Sequence, residues 1–164
     1  MDPKAFEDVF HRHYPKLYLS MTRLLGDPAE AEDITLEAFW RLWRTPAVEN
    51  GRCGGWLYRV ASRLGYNALR SQRRRSSYEE IAGRDAVTPP ESMEPASEFD
   101  RAERQGRVRE ALGHMSPRSA QLLILRASDL SYKEIAEILE VKPTSVGSLL
   151  ARAEAEFVRC FGAE

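Results

Sequence analysis

Between Trp56 and Arg75 the chain reads WLYRVASRLGYNALRSQRRR, which sets aromatic rings and guanidinium groups on what the spacing predicts to be one continuous helix. From Arg41 to Arg75 there are nine arginines and one acid, Glu49, in a chain whose net charge is -1, so positive charge is collected in one place. Phosphates attract such a cluster whatever the base sequence, and rings beside it offer faces on which unstacked bases can lie. The chemistry is noncovalent recognition of single-stranded or locally melted nucleic acid. A solvated helix face would carry the same arginines, but the interleaved Trp56, Tyr58 and Tyr66 weigh against it. Trp56 is also expected to share a core with Leu57, Val60, Ala61 and Leu64.

Other chemistries find little support. His11, His13 and Cys53 lack a fourth ligand at metal-binding spacing, so no metal is assigned. Cys53 and Cys160 are far apart and form no CxxC pair, which points to two free thiols. No HExxH, phosphate-cradling glycine loop or nucleophile motif is present, and the chain is read as non-enzymatic and free of cofactors. No apolar run reaches the roughly 18 residues of a membrane span, and MDPKAFEDVF lacks the layout of a secretory signal, so a soluble, cytoplasmic protein without membrane insertion is expected. Near-neutral overall charge excludes a protein that coats nucleic acid indiscriminately.

The elements that must position the basic helix are helical too. Phe6, Val9, Phe10, Tyr14, Leu17 and Met21 recur at three and four residues, predicting an amphipathic helix from Asp2 to about Leu25, kinked or divided at Pro15. Asp27, Pro28 and Glu30 supply a cap, a first-turn proline and a capping-box partner for a second helix. Its buried stripe is Ala31, Ile34, Ala38 and Leu42, which leaves Glu30, Asp33, Glu37, Trp40 and Arg41 on other faces. With Trp43 beside it, that acidic and aromatic surface reads as a protein interface. Thr45 to Gly55 is a loop by composition, and the first module, of three or four helices, spans 1-75.

Residues 76-100 hold seven acids, one arginine and three prolines, the signature of a flexible acidic linker. A helical run then starts near Ser97, and Ser116-Pro117 opens another helix. Ser131 and Glu134 form a capping box, with Ile135, Ala136 and Leu139 inward. After a turn at Glu140 to Lys142, Pro143 opens a last helix whose inward residues are Val146, Leu149, Leu150, Ala153 and Phe157. Two short helices and a tight turn make a helix-turn-helix. The fold class is all-α, with a three/four-helix module and a helix-turn-helix module over 101-164. In the second module Thr144, Ser145, Gly147, Ser148, Ala151 and Arg152 face a major groove, a thin set of phosphate ligands.

AEDITLEAFWRLWR followed by GGWLYRVASRLGYNALRSQRRR resembles region 2 of bacterial sigma factors of the extracytoplasmic-function (ECF) group, and LSYKEIAEILEVKPTSVGSLLARAEAEF resembles their region 4. The resemblance covers nearly the whole chain outside the linker. It implies a transient RNA polymerase subunit that directs promoter recognition, melting and initiation. Asp33, Glu37, Phe39, Trp40 and Leu42 match the positions that bind the clamp coiled coil of the largest polymerase subunit. Trp56, Tyr58, Arg59, Ser62, Arg63, Arg70, Arg73 and Arg74 would face the -10 element, the loop before them capturing a flipped base. Lys133, Lys142, Thr144, Ser145, Ser148 and Arg152 would meet duplex at the -35 element. The acidic linker would thread polymerase channels meant for nucleic acid, and an anti-sigma factor is implied as a partner.

Four departures from the family pattern stand out. Arg63 stands where an Asn is usual, which leaves base preference open. Gly147, Leu149 and Ala151 replace frequent basic residues, so weaker -35 binding, or heavier reliance on Lys142, Lys133, Arg118 and Arg152, is expected. Glu140 stands where Gly is frequent, and Lys142 replaces a Ser or Thr helix cap at a modest stability cost. The rival readings are a stand-alone helix-turn-helix regulator and a sigma-fold adaptor without promoter activity.

Overall fold

The computed structural model describes residues 1–45, 50–81 and 96–162, and within them seven helices and a short 3-10 turn. Helix α1 (Pro3–Leu25) starts where the Asp2 carboxylate accepts the Ala5 N–H at 3.1 Å and ends at Gly26, whose N–H reaches the Thr22 carbonyl. It is neither divided nor ended at Pro15, because Val9 lies buried before the proline and Leu17, Met21, Leu24 and Leu25 after it. That packing outweighs one missing hydrogen bond. Helix α2 (Pro28–Trp43) begins as expected, with Asp27 accepting from the N–H groups of Ala29 and Glu30. Ala31, Thr35, Ala38, Phe39 and Leu42 are buried on it, and Thr35 satisfies its hydroxyl on the Ala31 carbonyl at 2.7 Å. Ile34, expected in that stripe, is only half-buried.

After the 3-10 turn Asn50–Arg52, helix α3 (Cys53–Ile81) starts earlier than composition implied. Gly54 and Gly55 are helical, and Gly54 is closely packed. A Cβ on Gly54 would lie 2.7 Å from Cε1 of His13, and one on Gly65 would lie 2.7 Å from Cδ2 of Leu24. Helices α1 and α3 therefore approach backbone to side chain. Residues 76–81, placed in the linker by composition, continue α3, and the linker's far end is the start of α4 (Ala96–His114). Residues 46–49 and 82–95 lie outside the described residues, including most of the acidic linker.

Helices α5 (Pro117–Ala127), α6 (Tyr132–Leu139) and α7 (Pro143–Phe161) complete the second module. The α6 capping box is present: Ser131 Oγ accepts the Glu134 N–H, and the Glu134 carboxylate accepts the Ser131 N–H at 2.8 Å. The Ser131 N–H, and after it the Ser131 hydroxyl, both donating to the Glu134 carboxylate, hold that carboxyl below its usual range. Ser116 does not cap α5 with its side chain; its N–H and hydroxyl are both drawn to the Glu156 carboxylate of α7, which depresses that carboxyl too. Ile138 is buried where Leu139 was expected, and Leu149 and Phe157 are half-buried beside Val146, Leu150 and Ala153. The buried residues of the two modules form one continuous cluster.

His13 is held below the ordinary histidine value, first by burial and then by Arg12 and Lys16. Its proton binds more readily in the unfolded chain, so the stability it contributes is present above about pH 6.5 and is lost as pH falls below that value. Thermal melts from pH 7.5 to 5.5 should show a falling melting temperature, and His13→Gln should flatten the slope. An unchanged slope in that variant would refute the assignment.

Candidate nucleic-acid interface

Helical geometry sorts the basic residues of α3 into two stripes. Arg63, Asn67, Arg70 and Arg74, spaced by four, three and four, are exposed along one line. The Arg70 guanidinium sits 5.9 Å from the centre of the Tyr66 ring. Asn67 went unnoticed in the sequence, although its register between Arg63 and Arg70 places it on the same line.

The neighbouring stripe is covered by the second module. Arg59 Nε donates to the Ile138 carbonyl at 2.6 Å and Nη1 reaches Glu140 Oε1 at 3.0 Å. Ser62 is buried and accepts from Gln121 Nε2 at 2.9 Å. Tyr66 donates to the Met115 carbonyl at 2.7 Å, and Arg73 Nη1 lies 2.7 Å from His114 Nδ1. Tyr58 is buried at 8% exposure, and that burial, followed by the charge of Glu134, raises its pKa. The expectation that Tyr58, Arg59, Ser62 and Arg73 stand open to nucleic acid is therefore corrected for this conformation: each packs against or bonds to the second module. Their partners lie 40 to 81 residues away in sequence, beyond the reach of local pattern.

Trp56 is half-buried at the other end of α3. With Glu37, Trp40, Arg41, Arg44, Thr45 and Val60 it lines an open pocket of about 420 Å3. Two indoles from different helices with guanidinium groups at the rim suit a planar base and its phosphate. Of the loop assigned to base capture, Thr45 lines this pocket, and residues 46–49 lie outside the described residues.

On α2, Asp33 is exposed, and Leu36, Trp40 and Trp43 stand out at 44%, 56% and 38% exposure. This is a large apolar strip beside acid, the anatomy of a binding surface. Glu37 pairs with Arg41 at 2.7 Å, which partly neutralises it. Leu36 was missed in the sequence, although it lies four residues before Trp40 on the same face. Phe39 and Leu42 are corrected: both are core residues, at 2% and 0% exposure, and can only support this surface. Phe39 sits among Phe6, Phe10 and Tyr14, with ring centres 4.8 to 6.2 Å away.

The N-terminal half of α7 presents Thr144, Gly147, Ser148, Ala151 and Arg152 to solvent, flanked by Lys142 and by Lys133 of α6; Ser145 is half-buried. Ser148 gives its hydroxyl proton to the Ser145 carbonyl at 3.0 Å. Tyr132, at 48% exposure, lies beside Gly147 and beneath the Arg126 guanidinium, which adds an aromatic edge to this face. Lys142 occupies the N-cap of α7 without a side-chain cap bond. Lys142→Ser should supply that bond and stabilise the protein by about 0.5–1 kcal/mol, while lowering the salt dependence of duplex binding by about one phosphate contact. Melting curves and a salt titration check the two effects; a lower melting temperature would contradict the cap assignment.

These surfaces stand in the order that two family models describe. Sigma-70 region 2 matches residues 9–75 and Sigma-70, region 4 matches residues 105–157, together well over half of the chain. Among curated relatives, the ECF RNA polymerase sigma factor SigK of Mycobacterium sp. (strain KMS) is 26% identical over 98% of this chain and 85% of its own length. The ECF sigma factor SigW of Bacillus subtilis is 27% identical over 92% of this chain and 86% of its own. The sigma factor RpoE of Bartonella quintana, solved in complex with the anti-sigma factor NepR, shares the fold with a TM-score of 0.52 at 17% identity, covering 98% of this chain and 99% of that one.

Proposed function

Because the chain belongs to the sigma-70 family, as an extracytoplasmic-function member with regions 2 and 4, we propose that it binds RNA polymerase core and directs promoter recognition, melting and initiation. The observation that carries this reading is the pairing of two separate surfaces on one small module. The acidic, aromatic face of α2 suits a basic partner helix, and the exposed arginine stripe of α3 with the two-indole pocket suits a melted strand. Residues 1–75 serve core binding and -10 recognition, 76–100 link the modules, and 101–164 read the -35 duplex.

On α2, Asp33, Leu36, Trp40 and Trp43 meet the clamp coiled coil of the largest subunit. On α3, Arg63, Asn67, Arg70 and Arg74 take phosphates and bases of the -10 element, and a flipped base is taken against Trp56. Melting follows because an unstacked base exchanges its neighbours for indole faces, without bond chemistry in this chain. The polymerase performs catalysis, and the protein works in the cytoplasm alongside it. An anti-sigma factor that covers the same faces is the natural regulator.

Transcription by core polymerase from a randomised promoter library, with and without this protein, tests the proposal. Initiation at a shared motif is expected, with Arg63→Ala changing the base preferred at one -10 position. No protein-dependent start site in the whole library would refute it and favour a stand-alone DNA-binding regulator.

A further inference from the structure

We propose that the cleft between the C-terminal part of α3 and α4 binds a free nucleotide, its phosphate chain held by Arg73 and Arg109 and its base laid against the ring of Tyr78. The site goes beyond the sigma reading, since it needs neither core polymerase nor promoter.

The cleft exists because the two helices touch at one end and part at the other. Gly113 and Gly106 lie two turns apart on one face of α4. A Cβ on Gly113 would sit 3.7 Å from Cδ of Arg73 and 3.9 Å from the Leu69 carbonyl, whereas one on Gly106 would meet nothing within 4 Å. The wedge left between the helices holds about 740 Å3, within the range of small-molecule sites.

Its lining is made for an anion. Arg73, Arg74, Arg109 and His114 face the space, with Glu110 as the one acid. Arg109 is set in place by α1: its guanidinium lies against the Gly26 cap, where a Cβ would fall 2.7 Å from Nη1, and the carbonyl end of that helix favours a cation. Arg73 Nη1 lies 2.7 Å from His114 Nδ1. A guanidinium can only donate, so the imidazole accepts at Nδ1 and keeps its proton at Nε2, a further donor on the cleft wall. Arg73 and Arg109 are half-buried, and among the described residues none of the three arginines pairs with a carboxylate. The chain holds 25 acids against 24 basic residues, so three uncompensated guanidinium groups around one hollow are not surplus charge.

Phosphate oxygens match those forks, and the exposed Tyr78 ring offers a base a stacking face. The closed end at Gly113 selects the kind of phosphate. A terminal phosphate chain can enter a dead end, whereas a polymer backbone must run through.

Calorimetry on the full free chain, with ATP, inorganic tripolyphosphate and adenosine as probes, tests the site. ATP should bind about tenfold tighter than tripolyphosphate, the worth of one stacked base, and adenosine should give no heat. Tripolyphosphate carries at least as much negative charge, so charge cannot account for that order. Tyr78→Ala should bring ATP down to the tripolyphosphate level and leave tripolyphosphate unchanged. Arg109→Gln should weaken both about tenfold while affinity for a single-stranded 20-mer stays the same, because Arg109 lies off the Arg63, Asn67, Arg70 and Arg74 line. Should Arg109→Gln fail to fold for want of its contact at the α1 cap, Tyr78→Ala, which alters only an exposed ring, decides the case. No binding at millimolar ATP, equal affinity for ATP and tripolyphosphate, or a loss of 20-mer binding in Arg109→Gln as large as the loss of ATP would each overturn the proposal, the last by making the cleft part of the nucleic-acid surface. All of these readouts concern the free chain, so failure to bind core polymerase would sink the sigma reading and leave them interpretable.

Discussion

Reversing one charge on the exposed face of α2, Asp33→Arg, should weaken binding to RNA polymerase core on the order of a hundredfold, about 3 kcal/mol, while leaving the melting temperature within a degree or two of wild type. Asp33 is exposed and forms no ion pair among the described residues, so the folded chain loses nothing when it changes. The loss must come from a partner whose basic side chains meet a like charge. Trp40→Ala should weaken binding by a comparable amount through a different cause, removal of an indole that is 56% exposed in the free chain and buried in the complex. Fluorescence anisotropy of labelled protein against core measures both. Wild-type affinity in both variants would move the polymerase-binding surface elsewhere.

Phe39→Ala tests the opposite placement two turns from Asp33. The ring is 2% exposed, packed 4.8 Å from Phe10 and 6.2 Å from Phe6 and Tyr14, so truncation leaves a cavity between α1 and α2. A cost of about 3–5 kcal/mol follows, and the melting temperature should fall by roughly 10 °C. Below that melting point the variant should still bind core, because Phe39 supports the face without being part of it. A variant that melts like wild type yet fails to bind core would place Phe39 in the interface and contradict the packing.

Local features were legible in the sequence wherever the physics is local. The Asp27-Pro28 start of α2 and the Ser131–Glu134 box of α6 are decided within four residues and stand as read, whereas Glu30 closes no box on Asp27, its carboxylate accepting from Gln72 Nε2 of α3 instead. The periodicity of α2 placed Leu42 in the buried stripe even as the family resemblance placed it at a partner; the structure sides with periodicity. Composition misled at Gly54-Gly55, where glycine serves contact with His13 and region 4 instead of a turn. It misled again at 76–81, where serines and acids continue α3. The covering of Arg59, Ser62 and Arg73 was out of reach, since a contact across 40 to 81 residues leaves no mark in local spacing.

Permanganate footprinting of a promoter drawn from the library, with core polymerase and this protein together, asks most directly whether the chain opens DNA. Thymines within the -10 element should become reactive only when both are present, and reactivity should disappear with Asp33→Arg. Thymines that remain unreactive in the complete mixture, or that react equally with core alone, would contradict the assignment of promoter melting to this protein.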